Sequence, residues 1–67
     1  MIALTVNGET RTFERSLTCE QLLAELSLGG KRVALERNGE IVPRSRLAEQ
    51  VLADGDKLEI VVAVGGG

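Results

Sequence analysis

The sequence predicts an α+β domain in which a mixed sheet of four to five strands packs one face against one main helix. Three observations predict this class: period-two alternation near both ends of the chain, one stretch with helical spacing between them, and two Asn-Gly turns. The chain has 67 residues, which suits one small domain and leaves little room for a deep active-site cavity.

The first predicted hairpin lies at the amino-terminal end. Residues 2–6 alternate apolar with smaller or polar side chains, as in a strand with one buried face. Asn7-Gly8 follows, and both residues tolerate the positive φ angles of a tight hairpin turn. Residues 9–13, which include two β-favouring threonines, then return as the second strand.

One helix is predicted from Cys19 to Leu26. Thr18 and Gln21 have the spacing of a capping box, in which each side chain bonds the other residue's backbone N–H. Gly29 and Gly30 are expected to end the helix, because glycine adopts the left-handed cap conformation without strain. The apolar face consists of Leu22, Leu23 and Leu26.

Three further strands are predicted after the helix. The third begins at 32–36, and a second Asn-Gly turn leads into a short strand at Ile41-Val42. Pro43 lacks an N–H, so this fourth strand is expected at a sheet edge. The last strand is predicted at 57–64. Between the fourth strand and the last one, a short helical turn is expected to cap the core with Leu47, Val51 and Leu52.

This order of elements defines the β-grasp, or ubiquitin-like, arrangement. The long and apolar final strand should lie centrally and parallel to the first strand, and the crossover through the helix should be right-handed. The alternation along the final strand predicts that Leu58, Ile60 and Val62 face the helix. We therefore expect a β-grasp domain over 1–64 and a flexible glycine tail over 65–67.

Composition argues against several classes of protein. The net charge of −2 and the absence of Trp and Tyr disfavour nucleic-acid binding. The absence of His removes the commonest metal ligand and general base, so we expect neither an enzyme nor a metal site. No stretch has the length of a membrane span. The single cysteine favours a reducing cytoplasm.

Three local motifs have simpler interpretations than the sites they resemble. Gly29-Gly30-Lys31 departs from a phosphate-binding loop, because Arg32 stands where Ser or Thr is needed. Asp54 and Asp56 lack the further oxygen ligands of a calcium loop and are interpreted as a solvated turn.

Cys19 begins the predicted helix, and a helix N-terminus lowers a thiol pKa. Because the sequence has no His or second Cys to activate or resolve this thiol, we interpret it as a small, partly buried packing residue.

The carboxyl-terminal end carries the strongest functional signal. Gly65, Gly66 and Gly67 directly follow the central strand. Without Cβ atoms they could pass through a narrow channel and present the carboxylate of Gly67 to a partner's active site. On the sheet face away from the helix, Val61, Ala63 and Ala34 form a candidate partner interface; incidental exposure of small apolar residues is the alternative.

Over its whole length the chain resembles the thiamine-biosynthesis sulfur carriers, the ThiS family of ubiquitin-like proteins. The resemblance rests on "VNGE", "NGEIVPRS", "DGDKLEIV" and the terminal "GGG". The extra glycine, Gly65, departs from a simple Gly-Gly end. Related molybdopterin-type sulfur carriers also end in Gly-Gly but are typically longer and look less like "NGEIVPRS".

The resemblance implies a chemistry performed on Gly67. An adenylyltransferase of the ThiF type, related to ubiquitin-activating enzymes, would use ATP and magnesium to adenylate the carboxylate, and the carrier itself would bind no cofactor. A cysteine desulfurase pathway would supply sulfur to give a thiocarboxylate, and thiazole synthase of the ThiG type would take that sulfur. The alternatives are a molybdopterin-type carrier or a β-grasp interaction module with an incidental tail.

Overall fold

One five-stranded mixed sheet forms the frame of the domain in a computed structural model that describes residues 1–63. The strands are β1 Ile2–Val6, β2 Glu9–Phe13, β3 Val33–Arg37, β4 Glu40–Ile41 and β5 Lys57–Val62. Their order across the sheet is β2-β1-β5-β3-β4. β5 is therefore central, parallel to β1 and antiparallel to β3, as the sequence predicts for a β-grasp.

The helix α1, Cys19–Glu25, begins at the predicted capping box. Thr18 Oγ1 accepts a hydrogen bond from the Gln21 N–H at 3.1 Å, and Gln21 Oε1 accepts one from the Thr18 N–H at 2.8 Å. Two backbone donors at the start of the helix are satisfied in this way. The capping box fixes the start of the helix at the residue that the sequence predicts.

The end of α1 differs from the prediction that Gly29 and Gly30 stop it. The helix ends at Glu25, and Ser27 takes the left-handed conformation with φ of +62°. The Ser27 N–H donates to the Ala24 carbonyl and the Leu28 N–H to the Leu23 carbonyl. This is the Schellman pattern, formed here by serine, so the glycines lie in the following loop.

The hydrophobic core lies between α1 and the sheet. Val42 and Leu52 close the core from outside these elements, and Leu47, beside the short 3₁₀ helix Arg44–Arg46, packs against it. The buried apolar residues are Leu4, Val6, Leu17, Cys19, Leu22, Leu23, Leu35, Val42, Leu52, Leu58 and Ile60. Within the described part of the chain, no helix is long and apolar enough to cross a membrane.

Two residues predicted to face the core are exposed. Val51 is 57% exposed, since the segment after the 3₁₀ helix directs Leu52 inward instead. Val62 is 36% exposed although it lies opposite Val33 on the helix-facing side. Its cross-strand neighbour Val33 is only partly buried as well, so the core becomes thinner towards this end of β5.

The predicted strand boundaries shift by one or two residues. β4 is Glu40–Ile41, with Val42 buried beyond it, and β5 ends at Val62. The predicted domain boundary at Val64 and the predicted tail over 65–67 lie outside the described residues.

Candidate functional site

The predicted reactive end, Gly65 to Gly67, lies outside the described residues. The structure does describe the segment that leads to it, namely the end of β5 and Ala63. We call this segment the base of the carboxyl-terminal end. The Ala63 N–H donates to the Arg32 carbonyl at 2.9 Å, so β5 and β3 remain hydrogen-bonded up to this point. The position of the base is therefore fixed by the centre of the sheet.

Asn7 anchors β5 from the side of β1. Its Nδ2 donates to the Ile60 carbonyl at 3.1 Å, and its Oδ1 accepts from the Ile60 N–H at 2.7 Å. Asn7 has a φ of +49° in the hairpin turn, a conformation that asparagine tolerates better than most residues. The side-chain amide thereby extends the β1–β5 pairing beyond Val6, where the strand itself ends.

Asn38, in the second Asn-Gly turn, anchors the start of β5 from the other side. Its Oδ1 accepts from the Lys57 N–H at 2.9 Å, and its Nδ2 donates to Asp56 Oδ1 at 3.0 Å. In both "NGE" turns the asparagine side chain thus binds the backbone of the central strand, at Ile60 in the first and at Lys57 in the second. Sequence reasoning identified both turns but gave no indication that their asparagines bind β5.

Asp56 corrects the interpretation of the Asp54-Asp56 pair as a solvated turn. Asp56 is buried and forms a salt bridge with Arg37 Nη2 at 2.8 Å. Arg37 Nε also donates to Asp56 at 2.8 Å, and Arg37 Nη1 donates to Gln50 Oε1. Asp54 is exposed and accepts a hydrogen bond from the Ala3 N–H at 2.7 Å. The two aspartates hold the turn against different parts of the sheet.

The carboxyl of Asp56 experiences opposing influences. Burial raises its pKa, but the hydrogen bonds from the Ala53 N–H and Asn38, together with the charge of Arg37, outweigh burial and leave the pKa below its ordinary value. Asp56 is therefore ionised in the folded domain near neutral pH and keeps the Arg37 guanidinium paired.

The sheet face away from α1 carries the predicted interface residues. Ala34 lies directly opposite Val61, both are exposed, and Val61 has 66% of its surface accessible. Ala63 is also exposed. The structure thus places the three predicted residues together at the base of the carboxyl-terminal end; their contact with a partner remains a prediction.

Three further exposed residues lie on this face, and sequence reasoning assigned them no role in binding. Ile41, 73% exposed, lies opposite Glu36, which in turn lies opposite Glu59. The register between strands identifies these neighbours, and alternation within one strand does not. We call this face the outer patch and define it as Ala34, Glu36, Ile41, Glu59, Val61 and Ala63.

A shallow groove of about 680 Å³ borders the outer patch where β4 no longer covers β3. Val61, Ala63 and Ala34 contribute to it, together with apolar side chains that include Leu28. Its charged lining is mainly cationic, although the chain as a whole is acidic. The charged residues are Lys31, Arg32, Arg44 and Glu20.

The single cysteine of the chain, Cys19, lies in the hydrophobic core. Cys19 has no exposed surface, and burial raises the pKa of its thiol despite the nearby Arg37 charge. The pKa direction is thus opposite to the one a helix N-terminus alone would give, and the packing role predicted for Cys19 agrees with its complete burial. Residues 1–63 contain no group of three or more acidic or sulfur side chains arranged to hold a metal.

The profile of the ThiS family matches residues 4–67, nearly the whole chain. The chain belongs to the ThiS family. Its similarity to a solved structure agrees: the crystal structure of the thiamine biosynthesis protein ThiS from Geobacter metallireducens superposes with a TM-score of 0.83 at 35% identity, covering 98% of this chain and all of that one. The β-grasp fold predicted from the order of elements is therefore confirmed.

Two curated relatives of this chain differ greatly in length. The sulfur carrier protein ThiS of Bacillus subtilis is 42% identical over 65 residues, which cover 96% of this chain and 98% of that protein. A thiazole synthase of Paramagnetospirillum magneticum is 55% identical over 64 residues, 96% of this chain but 20% of that protein. The chain thus spans about a fifth of the length of that thiazole synthase.

Proposed function

We propose that this chain is a sulfur carrier of thiamine biosynthesis, with Gly67 as the residue that carries sulfur. The observation that supports this most directly is the match to the ThiS family through residue 67, together with 42% identity to a sulfur carrier along almost the full length of both proteins. In this proposal the chain is the substrate of enzymes and is not itself an enzyme.

The chemistry takes place at the carboxylate of Gly67. A ThiF-type adenylyltransferase holds ATP and magnesium, the carboxylate attacks the α-phosphorus, and pyrophosphate leaves. The sulfur of a persulfide, formed by a cysteine desulfurase, then attacks the acyl carbon and AMP leaves. The attack forms a C–S bond and gives an acyl disulfide that keeps the S–S bond of the persulfide. A thiol then attacks the inner sulfur of that S–S bond, forms a disulfide with it, and releases the thiocarboxylate on Gly67.

Thiazole synthase is the proposed acceptor of that sulfur. The region of a thiazole synthase that is similar to this chain supports this assignment, because it joins the two kinds of sequence in one protein. We propose that the cytoplasm is the site of the reaction. The structural contribution of the carrier is then to present Gly67 on a fixed base and to offer a surface that each partner recognises.

Intact-mass measurement tests the proposal. The purified chain is incubated with the ThiF-type enzyme, ATP, magnesium and a cysteine desulfurase with cysteine. A carrier should gain the mass difference between sulfur and oxygen at its carboxyl terminus, and omission of ATP should prevent the gain. A β-grasp interaction module would keep its original mass under both conditions, and this outcome would contradict the proposal.

A further inference from the structure

The two edges of the sheet differ in how well they are protected against a further strand. β4, at one edge, has only two residues, and Pro43, which lacks a backbone N–H, follows soon after it. β2, at the other edge, pairs with β1 at every position from Glu9 to Phe13 and therefore contains no bulge. Four of its five residues are exposed. β2 is therefore the edge that is open to pairing.

The hydrogen bonds of β1 identify the free backbone groups of β2. The Thr5 N–H donates to the Asp56 carbonyl at 3.0 Å, on the side of β5. Thr5 lies opposite Thr10 in the β1–β2 pair, so this pair is one of those that are not joined by hydrogen bonds. The N–H and C=O of Thr10 thus point away from β1, and those of Thr12, two residues further on, do the same.

The charged side chains of β2 make this edge complementary to itself. Glu9 and Arg11 are two residues apart, so they lie on one face, and Arg11 Nη2 is 3.7 Å from Glu9 Oε1. When β2 of a second copy pairs antiparallel with Thr10 opposite its own counterpart, each Glu9 lies opposite Arg11 of the other copy. The four charges then alternate in sign around a square. Opposite charges directly across two strands are favourable.

Other registers of this self-pairing are less favourable. Pairing centred on Arg11 would overlap all five residues of β2, but it would place the two Arg11 side chains directly opposite each other, and like charges in that position are destabilising. Pairing centred on Thr12 would need residues 14 and 15 in an extended conformation, whereas the chain bends there. The charges therefore select the register centred on Thr10.

We propose that β2 is a self-association surface, through which two copies of this chain form a weak symmetric dimer with Thr10 at the twofold axis. The five strands of each copy then join in one continuous sheet. The dimer is weak, because only one short strand of each copy takes part. Since β1 separates β2 from β5, the base of the carboxyl-terminal end stays uncovered. The inference therefore does not depend on the proposed function.

Sedimentation equilibrium of the full chain at increasing concentration tests the dimer, and nuclear magnetic resonance of the same samples locates the contact. We expect association at concentrations of about 1 mM or below. On dilution, the amide signals that shift should be those of β2. Hydrogen exchange of the Thr10 N–H should become slower as the concentration rises, because this group is free in the monomer and hydrogen-bonded in the dimer.

Arg11→Glu tests the register. We expect it to raise the Kd of the dimer about tenfold or more, because two attractive cross-strand pairs both become repulsive. The double variant Glu9→Arg/Arg11→Glu exchanges the two charges and should restore the original affinity. Arg46→Glu is the matched control, since Arg46 is also exposed, lies 3.7 Å from a glutamate, Glu49, and gives the same change of net charge away from β2. Circular dichroism verifies that each variant is folded.

Four outcomes would overturn the inference. They are a chain that is monomeric at about 1 mM, dilution shifts that lie outside β2, an equal loss of affinity in Arg46→Glu, and a folded double variant that associates no better than Arg11→Glu. A monomeric chain whose Thr10 and Thr12 signals shift on addition of the adenylating enzyme would assign this edge to that enzyme instead. The dilution measurement on the original chain needs no variant and decides by itself whether β2 pairs.

Discussion

The side-chain amide of Asn7 forms two hydrogen bonds with the backbone of Ile60, 53 residues further along the chain. The main-chain pairing of β1 with β5 ends at Val6 and Leu58, so the amide of Asn7 acts as one more step of the ladder. It anchors the central strand between Glu59 and Val61 of the outer patch, immediately before the base of the carboxyl-terminal end.

Replacement of Asn7 by glycine should therefore destabilise the domain by about 1–3 kcal/mol, since two hydrogen bonds of about 0.5–1.5 kcal/mol each are lost. Glycine accepts the positive φ of this position without strain, so the change reports on the hydrogen bonds. Urea unfolding measures the effect. Gly8→Ala is a useful comparison, because it strains the same turn without touching Ile60; equal stability of Asn7→Gly and the original chain would contradict the anchoring role.

Acidification should destabilise the domain through Asp56. Its pKa is lower in the folded state than in the unfolded state, where carboxyls have a pKa of about 3.9, so the unfolded chain binds more protons at acid pH. The stabilisation by this carboxylate is therefore fully present at pH values well above the pKa of the unfolded state. It is lost as the pH falls through the lower pKa of the folded state. Urea midpoints between neutral pH and about pH 3 measure it.

Asp56→Asn separates this effect from that of the other carboxyls. The variant should be less stable by about 1–3 kcal/mol at neutral pH, because Arg37 loses its charged partner and keeps the bond to Gln50. Its stability should also fall less steeply at acid pH than that of the original chain. Parallel pH profiles of the two proteins would show that another group controls the acid response.

Replacement of Cys19 by serine should leave thiocarboxylate formation intact. The thiol is fully buried and its pKa is raised, so it is neither accessible nor ionised enough to carry sulfur. A hydroxyl in the core costs about 1–3 kcal/mol, and Cys19→Ala provides a second variant without that cost. Intact mass after the activation reaction is the readout; loss of the sulfur adduct in both folded variants would assign a persulfide role to Cys19.

Val61→Gln should weaken binding to the adenylating enzyme by about tenfold, because an amide buried against an apolar surface without a hydrogen-bond partner costs about 1–3 kcal/mol. The neutral side chain adds no charge beside the glutamates. Val51→Gln is a matched control, because Val51 is similarly exposed but bridges Thr18 at the start of α1. Calorimetry on both variants decides: equal affinities would remove Val61 from the interface.

The fold was predictable because its signals are local and agree with one another. Residues 2–6 alternate, Thr18 and Gln21 have capping-box spacing, and each Asn-Gly pair forms a tight turn, so the order of elements follows from short stretches. The predicted end of α1 was wrong, also for a local reason. Ser27 adopts the left-handed conformation two residues before Gly29. A preference for glycine at such positions is statistical, and the surrounding structure overrides it here.

The site was predictable only in part, because several of its features depend on register. Alternation along β5 placed Val61 on the outer face, and it is there. The pairing of Glu36 with Glu59 and the position of Ile41 beside them require the alignment of three strands. The burial of Asp56 likewise depends on Arg37, 19 residues away, and sequence spacing within the turn gives no indication of it.

If the partner acts on the carboxylate of Gly67, one added alanine after Gly67 should abolish activation. The extra residue moves the carboxylate by about 3.5 Å, whereas a misplacement of about 1 Å can already reduce a rate about a hundredfold. The fold should be unaffected, since all residues of the hydrophobic core belong to positions 2–60 of the sequence. An alanine added before Met1, which is 85% exposed, provides the control for length.

Pyrophosphate release by the adenylating enzyme with ATP is the deciding measurement, with thermal unfolding of each protein recorded alongside. We expect equal melting temperatures for the three proteins, full release with the original chain and with the amino-terminal extension, and loss of release with alanine after Gly67. Undiminished release from the carboxyl-terminally extended protein would instead show that the glycines serve as a spacer and that activation does not take place at Gly67.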